Sequence, residues 1–381
     1  LCDRRQRQMC IRDRVYPGQM DSTFVPVRSH HYDPELTFDF CVNEPAWSNQ
    51  AGIHSAFGST DRLYFRKEVP VNHDNDLSSS YSTTVWRGER ANAQILVWSS
   101  EALEQVRVST QDLRSAEGNI IPKDRITFEL VRYVLSNYPY AEKKAICGES
   151  PYKSGFLMPD RFETLDRFDL PSQTTRPVWM MVDVPRGTVP GTYKGQVEVR
   201  AKGKAPQLLN LEIVVQNQLL PYPKDWKYRL DLWQNPWAVA WYNHVEPWSP
   251  EHKMLLKQHL KHYADAGGTY STTYGVHSPW SDNSYMIEGG MIEWIKKADG
   301  TWAFDYKIFD EYVELAMECG INEAITLYTP IPWGFRHRYK DEATGDYSYI
   351  NWAPSSEEFK KMWNIFLTDF KFHLEAKSWL D

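Results

Sequence analysis

Long apolar runs are missing from this sequence. Although 42% of its 381 residues are hydrophobic, no stretch approaches the roughly 20 apolar residues a membrane-spanning helix needs, so no membrane span is expected. Cysteine is scarce. Two of the five lie in the first ten residues, and Cys41, Cys147 and Cys319 are far apart, with no metal-ligand or redox spacing. A chain of this length does not need disulfides, so cysteine leaves the compartment open. No cluster of Lys and Arg follows residue 14 and the formal net charge is −7, which argues against nucleic acid as a partner. Metal-binding patterns are also lacking. His259 and His262, three apart beside Lys257 and Lys261, read as a solvated helix face, and His30–His31 has less to recommend it. Neither a metal nor a cofactor is expected.

The opening "LCDRRQRQMCIRDR" does not fit the rest. It has no periodicity and no apolar centre of a signal peptide, and it resembles translated adapter sequence from assembled environmental DNA. Its five Arg against two Asp give +3, which leaves −10 on the remainder. Residues 1–14 are therefore set aside as non-native and 15–34 as a poorly defined N-terminal segment.

From about residue 35 to 222 the sequence reads as strands. "RPVWMMVDVP" puts Val178, Met180, Val182 and Val184 on one face, "LNLEIVVQ" does the same with Leu209, Leu211, Ile213 and Val215, and "DRITFEL" alternates through Ile126, Phe128 and Leu130. Turn signals such as Gly191 and Gly195 separate these runs, and no helical pattern interrupts them. The expectation is an all-β antiparallel sandwich.

After the Pro-containing linker "LLPYPKDW" the period changes. "YRLDLW", "GTYSTTYGV" and "NEAITLYTP" read as short strands, each followed by a helical pattern. The first helix opens at Ser249–Pro250, carries Leu256, Leu260, Tyr263 and Ala264, and stops at Gly267. The second carries Ile308, Tyr312, Leu315 and Cys319. The third opens with Ser355 and Glu358 as a capping box and carries Phe359, Trp363, Phe366, Phe370 and Leu374. Three strand–helix units predict an incomplete (β/α)8 TIM barrel over 223–381, with the polar insertions "MIEWIKKADGTWAFDY" and "FRHRYKDEATGDYSYI" as hairpins in its βα loops.

Twelve of the 16 Trp follow residue 225, several just beyond predicted strand ends. Tryptophan faces stack on the apolar faces of sugar rings, and a pocket so lined with few cations suits a neutral carbohydrate. Position alone nominates Asp231, Trp233 and Asn235 after the first strand, Tyr274, His277 and Trp280 after the second, and Tyr328, Thr329 and Trp333 after the third.

The segments "RPVWMMVDVPRGTVPGTYKGQVEV", "GERANAQILVWS" and "FLTDFKFHLEAKSWLD" resemble glycoside hydrolase family 123 and its bacterial relatives over roughly residues 60–381. The resemblance implies an N-terminal β-sandwich and a (β/α)8 catalytic domain. It also implies retaining β-N-acetylgalactosaminidase activity by substrate assistance, in which the sugar's own acetamido oxygen attacks the anomeric carbon. A Glu acid and an adjacent Asp would sit at the end of the fourth barrel strand, which places them just after Asp381. The chain would then stop before that strand, be a fragment without its catalytic pair, and derive from an exported parent acting on an N-acetylhexosamine-containing glycan. The competing expectation is a non-catalytic carbohydrate-binding or scaffold protein. Two nearby pairs are poor substitutes. Asp341–Glu342 falls at a hairpin tip, and Asp310–Glu311 falls inside a helix, where neighbours point about 100° apart.

Overall fold

The structure is a computed structural model that describes residues 47–72, 77–136, 156–279 and 289–380. It divides into two compact units between Leu220 and Pro221. The segments 1–14 and 15–34, Trp280 and Asp381 lie outside the described residues.

The N-terminal unit contains β1 (His54–Gly58), β2 (Ser80–Arg87), β3 (Arg90–Ser99), β4 (Leu103–Thr110), β5 (Leu113–Arg114), β6 (Ile120–Ile121), β7 (Ile126–Ser136), β8 (Phe156–Glu163), β9 (Phe168–Leu170), β10 (Thr174–Asp183), β11 (Gly191–Arg200) and β12 (Gln207–Leu219). One sheet runs β1-β3-β10-β7-β8. The other runs β2-β12-β11-β4-β9, with β5 paired to both β11 and β6. The alternating apolar residues of both sheets meet in one core: Val178, Met180, Val182, Ile95 and Val97 from the first, Val197, Val199, Leu209, Leu211, Ile213 and Val215 from the second. Burying each such side chain contributes roughly 1.5–3 kcal/mol.

One pairing departs from the antiparallel expectation, because β2 and β12 run parallel, with Tyr81 opposite Leu211. Such a pair joins segments far apart in sequence, and no local period marks it. The apolar run "AQILVW" in β3 is buried on both faces. Ile95 and Val97 join the main core, while Leu96 and Trp98 pack with Trp47, Tyr64 and Val69 on the opposite side. Arg176 is buried too, where its guanidinium donates to the Val131 carbonyl at 3.1 Å and lies over the Tyr133 ring.

The C-terminal unit begins with an extended segment, then α1 (Pro236–Asn243), α2 (Pro250–Asp265), β13 (Tyr270–Tyr274), β14 (Glu293–Lys296), β15 (Trp302–Asp305), α3 (Lys307–Glu318), β16 (Ala324–Tyr328), β17 (Arg336–Asp341), β18 (Tyr347–Asn351) and α4 (Glu357–Ala376). β13 and β16 pair in parallel over their whole length. The first expected strand, "YRLDLW", makes only the single bridge Leu230–Gly268, so two of three expected parallel strands are present among the described residues. Thr272 N beyond that bridge donates to the Gln234 side chain at 2.7 Å, so an amide side chain takes over from backbone pairing.

The helices follow local signals with two shifts. Ser249 caps α2 by accepting from His252 N, and Gly267 follows with φ +93°, a conformation glycine adopts without strain. The buried face of α3 is Phe309, Tyr312, Val313 and Ala316, whereas Ile308 and Leu315 are only partly buried. Of the expected stripe, Tyr312 and Cys319 are buried, while Ile308 and Leu315 pack at the edge of the same core. The cap of α4 is Ser356, which accepts from Phe359 N, so Ser355 and Glu358 form no capping box.

The two hairpins inserted in the βα loops join into one four-stranded sheet, β15-β14-β17-β18, through a parallel contact of Ile295 with Lys340. Its inner face carries Trp294, Trp302, Phe304 and Tyr339 against α4, with Trp294 and Phe366 stacked at 4.8 Å. Much of the tryptophan in this half of the chain therefore builds a core.

Candidate functional site

Gln234 organises the loop after the bridge at Leu230. Its side-chain oxygen accepts from Thr272 N and from the Tyr312 hydroxyl at 3.2 Å, its amide donates to the Leu232 carbonyl, and its own carbonyl accepts from the Tyr274 hydroxyl at 2.9 Å. Burial raises the Tyr312 hydroxyl well above the usual tyrosine range, so this group stays a donor. No sequence pattern points to Gln234, because its role is set by groups 38 and 78 residues away.

Held by this hub, Trp233 projects outward at 61% exposure and meets the Tyr328 ring at 4.9 Å, joining the ends of the first segment and β16. The next two loops are tied together by Trp333 N donating to the Pro279 carbonyl at 2.9 Å, and the Trp333 side chain is 58% exposed. Thr329 is half-buried beside Tyr328. Asp231 is exposed two residues before Trp233. His277 sits half-buried past β13, and its Nδ1 is buried without a hydrogen-bond partner among the described residues. Burial, with a smaller effect from the Arg338 charge, lowers its pKa to about 4, so the imidazole is neutral near pH 7.

Two nominated residues do not face this surface. Tyr274 is fully buried and stacks on Trp237 at 5.2 Å. Asn235 caps α1, its side chain accepting from Ala238 N at 3.3 Å. His252, not nominated from sequence, is fully buried with a fixed tautomer. Its Nδ1 accepts from Trp248 N at 2.8 Å, so Nε2 donates to the Pro236 carbonyl at 2.9 Å. It ties α2 to α1 below the Gln234 loop.

Both adjacent carboxylate pairs are engaged by other groups. Asp310 is held by His373 at 2.7 Å and Lys377 at 2.9 Å, while Glu311 is held by Lys253. Glu342 is bound by Lys297 and Ala298 N across a hairpin. The position expected for the catalytic pair, just after Asp381, falls outside the described residues, which end at Leu380. Among the described residues, no group of three or more His, Cys, Asp or Glu is placed to hold a metal. His259 and His262 are both exposed on α2.

Exposed Trp233 and Trp333 lie at the ends of the first segment and beyond β16, and such indole faces can stack on sugar rings. Models of the glycoside hydrolase 123 N-terminal domain and catalytic domain match residues 57–201 and 233–381. The chain belongs to glycoside hydrolase family 123. A solved family 123 glycoside hydrolase from Clostridium perfringens, described by its glycolipid glycan hydrolysis, superposes with a TM-score of 0.78 at 26% identity, covering 86% of this chain. This chain spans 57% of that protein's length. A PapD-like domain of human CEP192 matches at 12% identity over 49% of this chain and 99% of its own. The periplasmic chaperone SfaE matches at 11% over 39% and 59%. Their TM-scores of 0.23 and 0.20 carry no argument. A search of curated protein sequences finds no match.

Proposed function

We propose that the parent protein is a retaining β-N-acetylhexosaminidase, of the β-N-acetylgalactosaminidase kind, working by substrate assistance and exported from the cell. In this reading the 223–381 unit is the opening portion of a (β/α)8 barrel, the catalytic pair follows Asp381, and the surface around Trp233, Tyr328, Thr329, Trp333, His277 and Asp231 receives the sugar. The observation that carries it is the superposition on the Clostridium perfringens enzyme across both units. Substrate assistance needs one carboxylic acid for the leaving oxygen and a second carboxylate at the acetamido nitrogen. Of the nominated strand-end residues only Asp231 is a carboxylate, and one group cannot serve both roles. In this reading the described residues supply sugar contacts rather than the acid, and the 381-residue chain alone is expected to be inactive.

Tryptophan fluorescence titration with methyl β-N-acetylgalactosaminide and methyl β-galactoside tests the reading. The N-acetylated sugar should bind more tightly and the effect should be lost in Trp233→Ala. Equal response to both sugars would remove the N-acetylhexosamine assignment. A non-catalytic carbohydrate-binding role is the second reading, favoured by the ion pairs that engage Asp310, Glu311 and Glu342. Turnover of an aryl β-N-acetylgalactosaminide by this chain, abolished in Asp231→Asn, would exclude it.

A further inference from the structure

The outer face of the four-stranded hairpin sheet bears an unusual set of charges. In β17 alternate residues share a face, so Arg336, Arg338 and Lys340 form one cationic row, opposite Asn351, Tyr349 and Tyr347 of β18. Each arginine lies diagonally over a tyrosine: Arg336 is 4.2 Å from the Tyr349 ring centre and Arg338 is 4.2 Å from that of Tyr347. Both rings are about half exposed, at 52% and 50%. One carboxylate, Glu293, serves the row, accepting from the Tyr347 hydroxyl at 3.0 Å and facing Arg338 at 3.7 Å. Arg336 and Lys340 are exposed and have no ion-pair partner among the described residues. Lys340 also borders a cavity of about 360 Å³ with Glu293, Ile295 and Lys307 on its rim. Of the other carboxylates there, Glu311 is engaged by Lys253 and Asp305 accepts from Lys307 N.

Three cations in one row repel one another, and in a chain of net charge −7 neither solubility nor the core requires them. An arginine resting against a ring has already lost some of its freedom, and a guanidinium grips a carboxylate or sulfate by two hydrogen bonds. Along a strand, Arg336 and Lys340 are about 13–14 Å apart, at ~3.4 Å per residue, far enough to engage separate sugar units. We infer that this face binds an acidic oligosaccharide, with carboxylate or sulfate groups on Arg336 and Lys340. The inference rests on the glycan reading above and deepens it from a neutral sugar to a charged chain.

The probe is a fluorescently labelled chondroitin hexasaccharide, compared with its carboxyl-reduced, unsulfated counterpart and with the sulfated form, against the full chain at low salt. The unsulfated acid should bind about tenfold more tightly than the reduced sugar, the worth of one good charge-assisted contact. A further gain with the sulfated form would assign sulfate as the preferred group. The double variant Arg336→Gln with Lys340→Gln should bring the acidic and reduced sugars within about twofold. Arg336→Lys should keep part of the preference, since it keeps the charge and loses the fork. Lys123→Gln with Lys224→Gln, the same charge change at exposed sites elsewhere, should leave it intact. Equal affinity for acid and reduced sugar overturns the site, as does a preference that survives the double variant or falls equally in the control. Tighter binding of single-stranded DNA than of chondroitin would also overturn it. None of these outcomes bears on the neutral N-acetylhexosaminide titration, so the two readings fail separately.

Discussion

Replacing Gln234 by Leu should damage the C-terminal unit far more than its half-buried position suggests. The substitution keeps the volume and strips the acceptor from two donors, Thr272 N and the Tyr312 hydroxyl, both on residues with 0% exposure. Each buried donor left without a partner costs about 1–3 kcal/mol. Some relaxation brings the expected total to about 2–5 kcal/mol, or roughly 1–2.5 M in a urea midpoint for a slope near 2 kcal/mol/M. Gln234→Glu keeps an acceptor for both donors and should lose less. Tryptophan fluorescence follows this unit well, since twelve of the 16 tryptophans lie after residue 225. Sugar titration should weaken in parallel, because Trp233 is positioned by the same loop. A Leu variant within about 0.5 kcal/mol of the parent would show that Gln234 does not tie the loop to β13.

Other outcomes follow from the same geometry. Trp333→Ala should reduce sugar affinity roughly five- to tenfold, about 1 kcal/mol of ring contact, with no change in melting temperature, because the side chain is 58% exposed. Gly289→Ala should destabilise by about 1–3 kcal/mol, since a Cβ there would stand 2.5 Å from Trp237 Nε1; a neutral result in thermal melts would mean the ring moves freely. His277 is held near pKa 4 against 6.5 unperturbed. Between these values the unfolded chain takes up a proton that the folded chain refuses, so stability is full above about pH 6.5 and falls as pH drops toward 4, by up to about 3 kcal/mol. Burial lowers His252, His259 and His337 in the same direction. His277→Gln should flatten part of the slope in denaturation curves from pH 4 to 7, and an unchanged slope would assign it to the other three.

What the sequence shows and what it hides divides along the range of the interactions. Strands β10 and β12 are legible because a period of two in Val178–Val184 and Leu209–Val215 answers to a single buried face. The cap at Ser249 is legible because a hydroxyl three residues from an N–H is a local matter. The parallel β2–β12 pair, the joining of two hairpins into one sheet and the Gln234 hub depend on partners dozens of residues away, and no local pattern announces them. "YRLDLW" has the composition of a strand, yet its polar neighbour Gln234 takes the hydrogen bond that a further backbone pair would use. Of the nominated sugar contacts, Trp233, Tyr328 and Trp333 lie at exposed or half-buried strand ends. Tyr274 and Asn235 share their sequence positions but are spent on packing and capping, a distinction that burial alone makes.

The most direct test of the central claim is a crystal structure of the chain soaked with a thiazoline analogue of N-acetylgalactosamine, the mimic of a substrate-assisted intermediate. The account predicts the sugar ring against Trp233 or Trp333, at van der Waals distance from the indole and within reach of His277. Density on the β-sandwich, or none at concentrations that saturate the fluorescence change, would contradict it.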